Sequence, residues 1–104
     1  MNQIKNPGQS YPIVIKKSKF IASTSPITTE NDANDFIQKI SLDHKRANHN
    51  CYAYRIKTEK GMIVNESDDG EPSGTGGNSI LYVLEKQNVA NTIVVVSRYF
   101  GGRE

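Results

Sequence analysis

The run SDDGEPSGTGG at residues 67–77 gathers three carboxylates, three hydroxyls and four glycines immediately ahead of an apolar helical pattern. Asp68, Asp69 and Glu71 can bind a cation or accept hydrogen bonds, and the hydroxyls of Ser73 and Thr75 can complete either arrangement. Glycine lets the backbone approach a ligand closely or take positive φ. Pro72 suits the first turn of a helix and Thr75 its cap, which would leave the N–H groups of Gly74, Gly76 and Gly77 as a candidate anion cradle. The competing account is purely structural: the acids offset the helix dipole and the glycines permit close packing. These residues alone leave both accounts open.

Other chemistry is thinner. His49 and Cys51 alternate onto one strand face, near enough in sequence for a thiolate and imidazole pair. Such a pair also needs an orienting partner and an exposed, electropositive setting, so a small buried cysteine beside a hydrogen-bonded histidine is the simpler account. The acids at 68, 69 and 71 do not follow the spacing of a calcium loop, and PSGTGGNS lacks the lysine of a phosphate-binding Walker loop. One cysteine and two histidines do not make a closed zinc site. No catalytic residue, metal ligand or cofactor is assigned, and the residues favour binding over catalysis.

The elements that must position this loop alternate between strand and helix. Tyr11, Ile13 and Ile15 share one face of a first strand, a polar break follows at Lys17, Ser18 and Lys19, and Phe20, Ala22 and Thr24 mark a second. Thr29 followed by Asp32 signals a capped helix whose stripe is Ala33, Phe36, Ile37, Ile40 and His44. His49, Cys51, Ala53 and Arg55 then oppose Tyr52, Tyr54 and Ile56 on a strand, and KTEKG turns the chain into Met62, Ile63 and Val64. Beyond the loop, Ile80, Val83, Leu84 and Gln87 predict the inward face of a second helix. The near-continuous Ile93, Val94, Val95 and Val96 predict a central strand covered on both faces.

Composition limits what this can be. The chain has 104 residues with 36% apolar and 23% charged side chains, enough for one core. Thirteen basic against 11 acidic residues give a formal charge of +2, so nucleic-acid binding would have to rest on a local patch. A single cysteine excludes an internal disulfide, and the absence of an apolar leader or a membrane-length run predicts a cytoplasmic protein without a membrane partner.

KKSKFIA at 16–22, HNCYAYRI at 49–56, SDDGEPSGTGG and VVVSRYFGG at 94–102 resemble, in order and spacing, the successive signatures of the Impact or YigZ family. The resemblance implies an α+β fold, a two-layer sandwich of helices on a mainly antiparallel sheet like the second domain of a small-subunit ribosomal protein. The N-terminal decapeptide, the one linker candidate, is expected to be a flexible segment at 1–10, and the resemblance implies the family's N-terminal domain at 11–104. That domain would be incomplete at its C-terminus, because members run on into a further helix after RYFGG. It also implies a role in regulating translation, which eukaryotic members exert through a co-activator of an initiation-factor kinase.

In that fold the strands would bring Lys19, Arg55 and Arg98 near the loop, beside the stacking faces of Tyr99 and its aromatic neighbours. The expected binding set is Lys19, Arg55, Asp68, Asp69, Glu71, Ser73, Gly74, Thr75, Gly76, Gly77, Arg98 and Tyr99. The expected partner is RNA or a translation-associated protein. A phosphate- or nucleotide-handling enzyme and a protein-only regulator are the alternatives. A strand needing cover on both faces further predicts self-association, a homodimer, when the helix beyond it is missing.

Overall fold

The computed structural model describes residues 2–70 and 76–101. Among these are six strands and two helices: β1 Gly8–Gln9, β2 Ile13–Ile15, β3 Ser18–Pro26, α1 Glu30–Asp43, β4 His49–Thr58, β5 Gly61–Ser67, α2 Gly77–Lys86 and β6 Thr92–Tyr99. All strand pairings are antiparallel, in the order β1-β3-β6-β4-β5, with β2 also paired to β3. The fold is α+β, an open antiparallel sheet of six strands with two helices.

Local chemistry explains the elements. The hairpin β2–β3 closes through Lys16 and Lys17, both in the left-handed region at φ 50° and 69°. A two-residue turn of this hand matches the twist of its strands, although asparagine and glycine are its usual occupants. Near the N-terminus, Gly8 and Gln9 pair with Thr24 and Ser23, and Asn2 exchanges backbone hydrogen bonds with Asn88 and Ala90. Thr29 caps α1 as its sequence predicts. Its side chain accepts from the Asp32 N–H at 3.1 Å, and the Asp32 carboxylate accepts from the Thr29 N–H at 3.2 Å. The Thr28 N–H and hydroxyl, followed by those of Thr29, hold the Asp32 carboxyl below its ordinary value. A lowered folded value means that the cap's contribution is present above the ordinary value and is lost as pH falls through the folded one.

The side chains of β4 alternate between two environments. Tyr54 and Ile56 join Ile27, Ala33, Ile40, Ile93 and Val95 in the core beneath α1. The Tyr54 hydroxyl donates to Glu30 Oε2 at 2.7 Å and accepts from Asn65 Nδ2 at 3.3 Å. Burial raises the pKa of this phenol. Cys51, Ala53 and Arg55 point the other way. Arg55 Nη1 donates to the carbonyls of Leu84 and Val89 at 3.2 and 2.8 Å, closing the C-terminal end of α2 where orphan carbonyls and the helix dipole favour a cation.

Two expectations shift here. Helix α2 begins at Gly77, after Pro72 and Thr75, and its N-cap Gly76 has no side-chain cap bond. Its buried stripe runs through Gly77 and Leu84, with Ile80 and Leu81 half-buried, while Val83 is 56% exposed and Gln87 is the C-cap. The reason is the contact at Gly77, whose backbone lies directly on β4 and β5 and so fixes the rotation of the helix. Strand β6 is central, as predicted, but unevenly covered. Ile93 and Val95 are fully buried under α1, whereas Val94 and Val96, on the opposite face, are only half-buried.

Candidate functional site

The candidate site lies at the end of the sheet where β4 begins, β5 and β6 finish and α2 starts. Strand β5 extends through Ser67, so the acidic loop leaves from a fixed edge. Its first residues are pinned to the sheet by their own polar groups. The Ser67 hydroxyl accepts from the Asp69 N–H at 3.1 Å, and Asp69 takes φ 51°, which aspartate tolerates better than most residues. The Asp69 carboxylate then accepts the Asn50 N–H at 2.7 Å. Asp68 reaches the other way, accepting the Gly77 N–H at 2.8 Å. Each acid therefore satisfies a backbone donor left open by a strand or helix end.

His49 and Cys51 bind this loop and not each other. Nδ1 of His49 lies 2.8 Å from the Asp69 carbonyl, and the Cys51 thiol donates to the Asp68 carbonyl at 3.2 Å. Cys51 is 2% exposed. It packs closely against the start of α2, where a Cβ added at Gly76 would lie 2.5 Å from the Cys51 sulfur. Among the described residues no group of three or more His, Cys, Asp or Glu side chains is placed to hold a metal ion.

Beside the loop stands a braced cation. Arg98 lies between two rings, its guanidinium carbon 5.3 Å from the Phe20 centroid and 4.7 Å from that of Phe100, and Nη2 donates to the Ser18 hydroxyl at 3.4 Å. His49 meets Phe100 edge to face at 5.6 Å. The Phe100 N–H donates to Asn48 Oδ1 at 2.8 Å, tying the end of β6 to the start of β4. Stacking of this kind fixes a guanidinium with little further entropy to lose on binding.

Of the expected binding set, Asp68, Asp69, Gly76, Gly77 and Arg98 come together at this end. Lys19 and Tyr99 are register partners and leave the sheet on the face opposite Arg98. Arg55 sits six residues along β4 from His49, engaged with α2. Glu71, Ser73, Gly74 and Thr75 lie outside the described residues. Sequence reasoning missed the bond between His44 and Tyr99 and the capture of the Asn50 N–H by Asp69, at separations of 55 and 19 residues. The left-handed tolerance of aspartate in SDDG was the one local hint of the second. One consequence is measurable: Asp69→Ala removes a charged acceptor from Asn50 and puts alanine at positive φ. It should lower stability by about 1 kcal/mol, read as a shift of the denaturant midpoint. An unchanged midpoint would show that the loop is held by other groups.

An α+β domain of this build matches solved structures. One is the crystal structure of a hypothetical protein, with a TM-score of 0.85 and 32% identity, covering 95% of this chain and 48% of that one. Another is the two-domain translational regulator Yih1, with a TM-score of 0.73 and 31% identity over 98% of this chain and 40% of that one. The chain belongs to the Impact family: the model of the Impact N-terminal domain matches residues 16–104. The IMPACT family member YvyE of Bacillus subtilis is 50% identical over 99 residues, which are 95% of this chain and 45% of that protein. The chain thus spans about half, or less, of the length of these relatives. No helix among the described residues is long and apolar enough to cross a membrane.

Proposed function

We propose that the chain is a cytoplasmic binding module in the regulation of translation, which contacts RNA or a protein of the translation machinery through the loop end of its sheet. The carrying observation is the use made of the loop's acids. Asp68 accepts the Gly77 N–H at the helix start, and Asp69 accepts the Asn50 N–H. Both acids thereby hold the loop onto the ends of β4 and α2, which supports a fixed recognition surface. The translational regulator Yih1 among the similar structures supports the process.

The test is a titration of the chain with fluorescent single-stranded RNA at low and raised salt. Affinity should fall steeply with salt as counterions return to the phosphates. Arg98→Glu should weaken binding about tenfold, because it removes a cation and introduces repulsion at one contact. No binding at low salt, or no effect of the substitution, would favour the protein-only regulator. ATP turnover dependent on magnesium would favour the enzyme.

A further inference from the structure

A cluster of cations lies on the face of β6 opposite Arg98. Consecutive strand residues point to opposite sides, so Tyr99 leaves the sheet beneath the end of α1 while Arg98 faces the loop. There the Tyr99 hydroxyl lies 2.6 Å from Nδ1 of His44, the C-cap of α1, with the rings edge to face at 6.0 Å. Lys19 places Nζ 4.4 Å from the Tyr99 ring centroid. A cavity of about 310 Å³ opens at this point, lined by Leu42, Asp43, His44, Lys45, Arg46 and Tyr99.

The charge is out of balance. Asp43 is the one carboxylate in the lining, and Lys39 holds it at 2.9 Å. That is the only ion pair among the described residues, so Lys19, Lys45 and Arg46 have no carboxylate partner there. Offsetting the dipole of α1 accounts for about half a charge, not three. The cavity wall is also fixed, because the phenol is tied to His44 and the lysine sits over its ring. His44 retains its second ring nitrogen, Nε2, as a further polar group.

We propose that this cavity is a phosphate site that takes a phosphodiester of single-stranded RNA. Arg46 supplies a forked donor and Lys45 and Lys19 supply charge, the combination that recognises phosphate oxygens. Lys45 and Arg46 are exposed, so the site suits a chain passing over it better than an enclosed small molecule. This goes beyond the contact proposed for the loop, since its residues lie on the opposite face.

The experiment follows amide shifts of the ¹⁵N-labelled chain on addition of oligouridylate, uridine monophosphate, inorganic phosphate or sodium chloride at matched ionic strength. Oligouridylate should shift residues 43–46 and 99 at lower concentration than the monophosphate or phosphate, and chloride should not reproduce the pattern. Lys45→Glu with Arg46→Glu should raise the oligonucleotide dissociation constant at these residues about tenfold. The milder pair Lys45→Gln and Arg46→Gln should act in the same direction, and Arg98→Glu should leave the shifts at 43–46 in place. Shifts matched by chloride, shifts unaffected by both pairs of substitutions, or equal affinity for the free monophosphate would overturn the proposal. Shifts confined to residues 67–70 and 98 would overturn it while leaving the loop contact standing.

Discussion

Replacing Gly77 with alanine is expected to lower stability by about 3 kcal/mol, the upper end of what overpacking costs. The added Cβ would meet the Ser67 nitrogen and oxygen at 2.5 Å and the Tyr52 carbonyl at 2.7 Å, all backbone atoms of paired strands. A flexible side chain could swing aside, but these atoms cannot move without breaking the β4–β5 ladder. The alternative relaxation lifts α2 from the sheet and pulls the Gly77 N–H from Asp68, so the loop loses an anchor as well. Thermal unfolding should fall by roughly 12 °C or more for a domain of this size. Gly70→Ala is the comparison: its φ of 77° makes alanine strained, but nothing lies within 4 Å. That substitution should cost only about 1 kcal/mol. A Gly77→Ala protein melting within two or three degrees of the parent would mean that α2 does not rest on β4 and β5 as described.

The second large effect is an asymmetry between neighbours on β6. Ile93 is fully buried in the core under α1, so Ile93→Ala should cost about 3 kcal/mol or more through lost transfer energy and the cavity left behind. Val94, the next residue, is half-buried on the other face and should cost about 1 kcal/mol when cut to alanine. Val94 and Val96 share that partly covered face with Phe20 and Ala22 of β3, also half-buried. A second copy of the chain covering this apolar surface would gain about 25 cal/mol per Å² removed from water. Sedimentation should therefore show association as concentration rises, and Val94→Glu should reduce it. Equal losses for Ile93→Ala and Val94→Ala, together with a monomer at high concentration, would show that the existing elements cover both faces.

What the sequence revealed depended on the range of the interaction. The α1 cap was legible because Thr29 and Asp32 lie within one turn, and the faces of β4 were legible because alternation is a local property. The Impact signatures were legible as blocks, and the matched domain includes all of them. The start of α2 was misplaced because Pro72 and Thr75 fit local helix rules, whereas Asp68, nine residues before Gly77, supplies the cap through space. Arg55 looked like a surface cation because nothing nearby in sequence indicates that it reaches Leu84 and Val89. The division of Arg98 and Tyr99 between two faces follows from strand alternation. It became informative only when α1 and the loop were found on different sides.

Amide hydrogen exchange with and without purified ribosomes reads whether the loop end of the sheet is the contact surface for the translation machinery. Added protection is expected in peptides covering residues 49–51, 67–70 and 98–101, lost on Arg98→Glu. Protection confined to β5 and the outer face of α1, or none at any ribosome concentration, would contradict it.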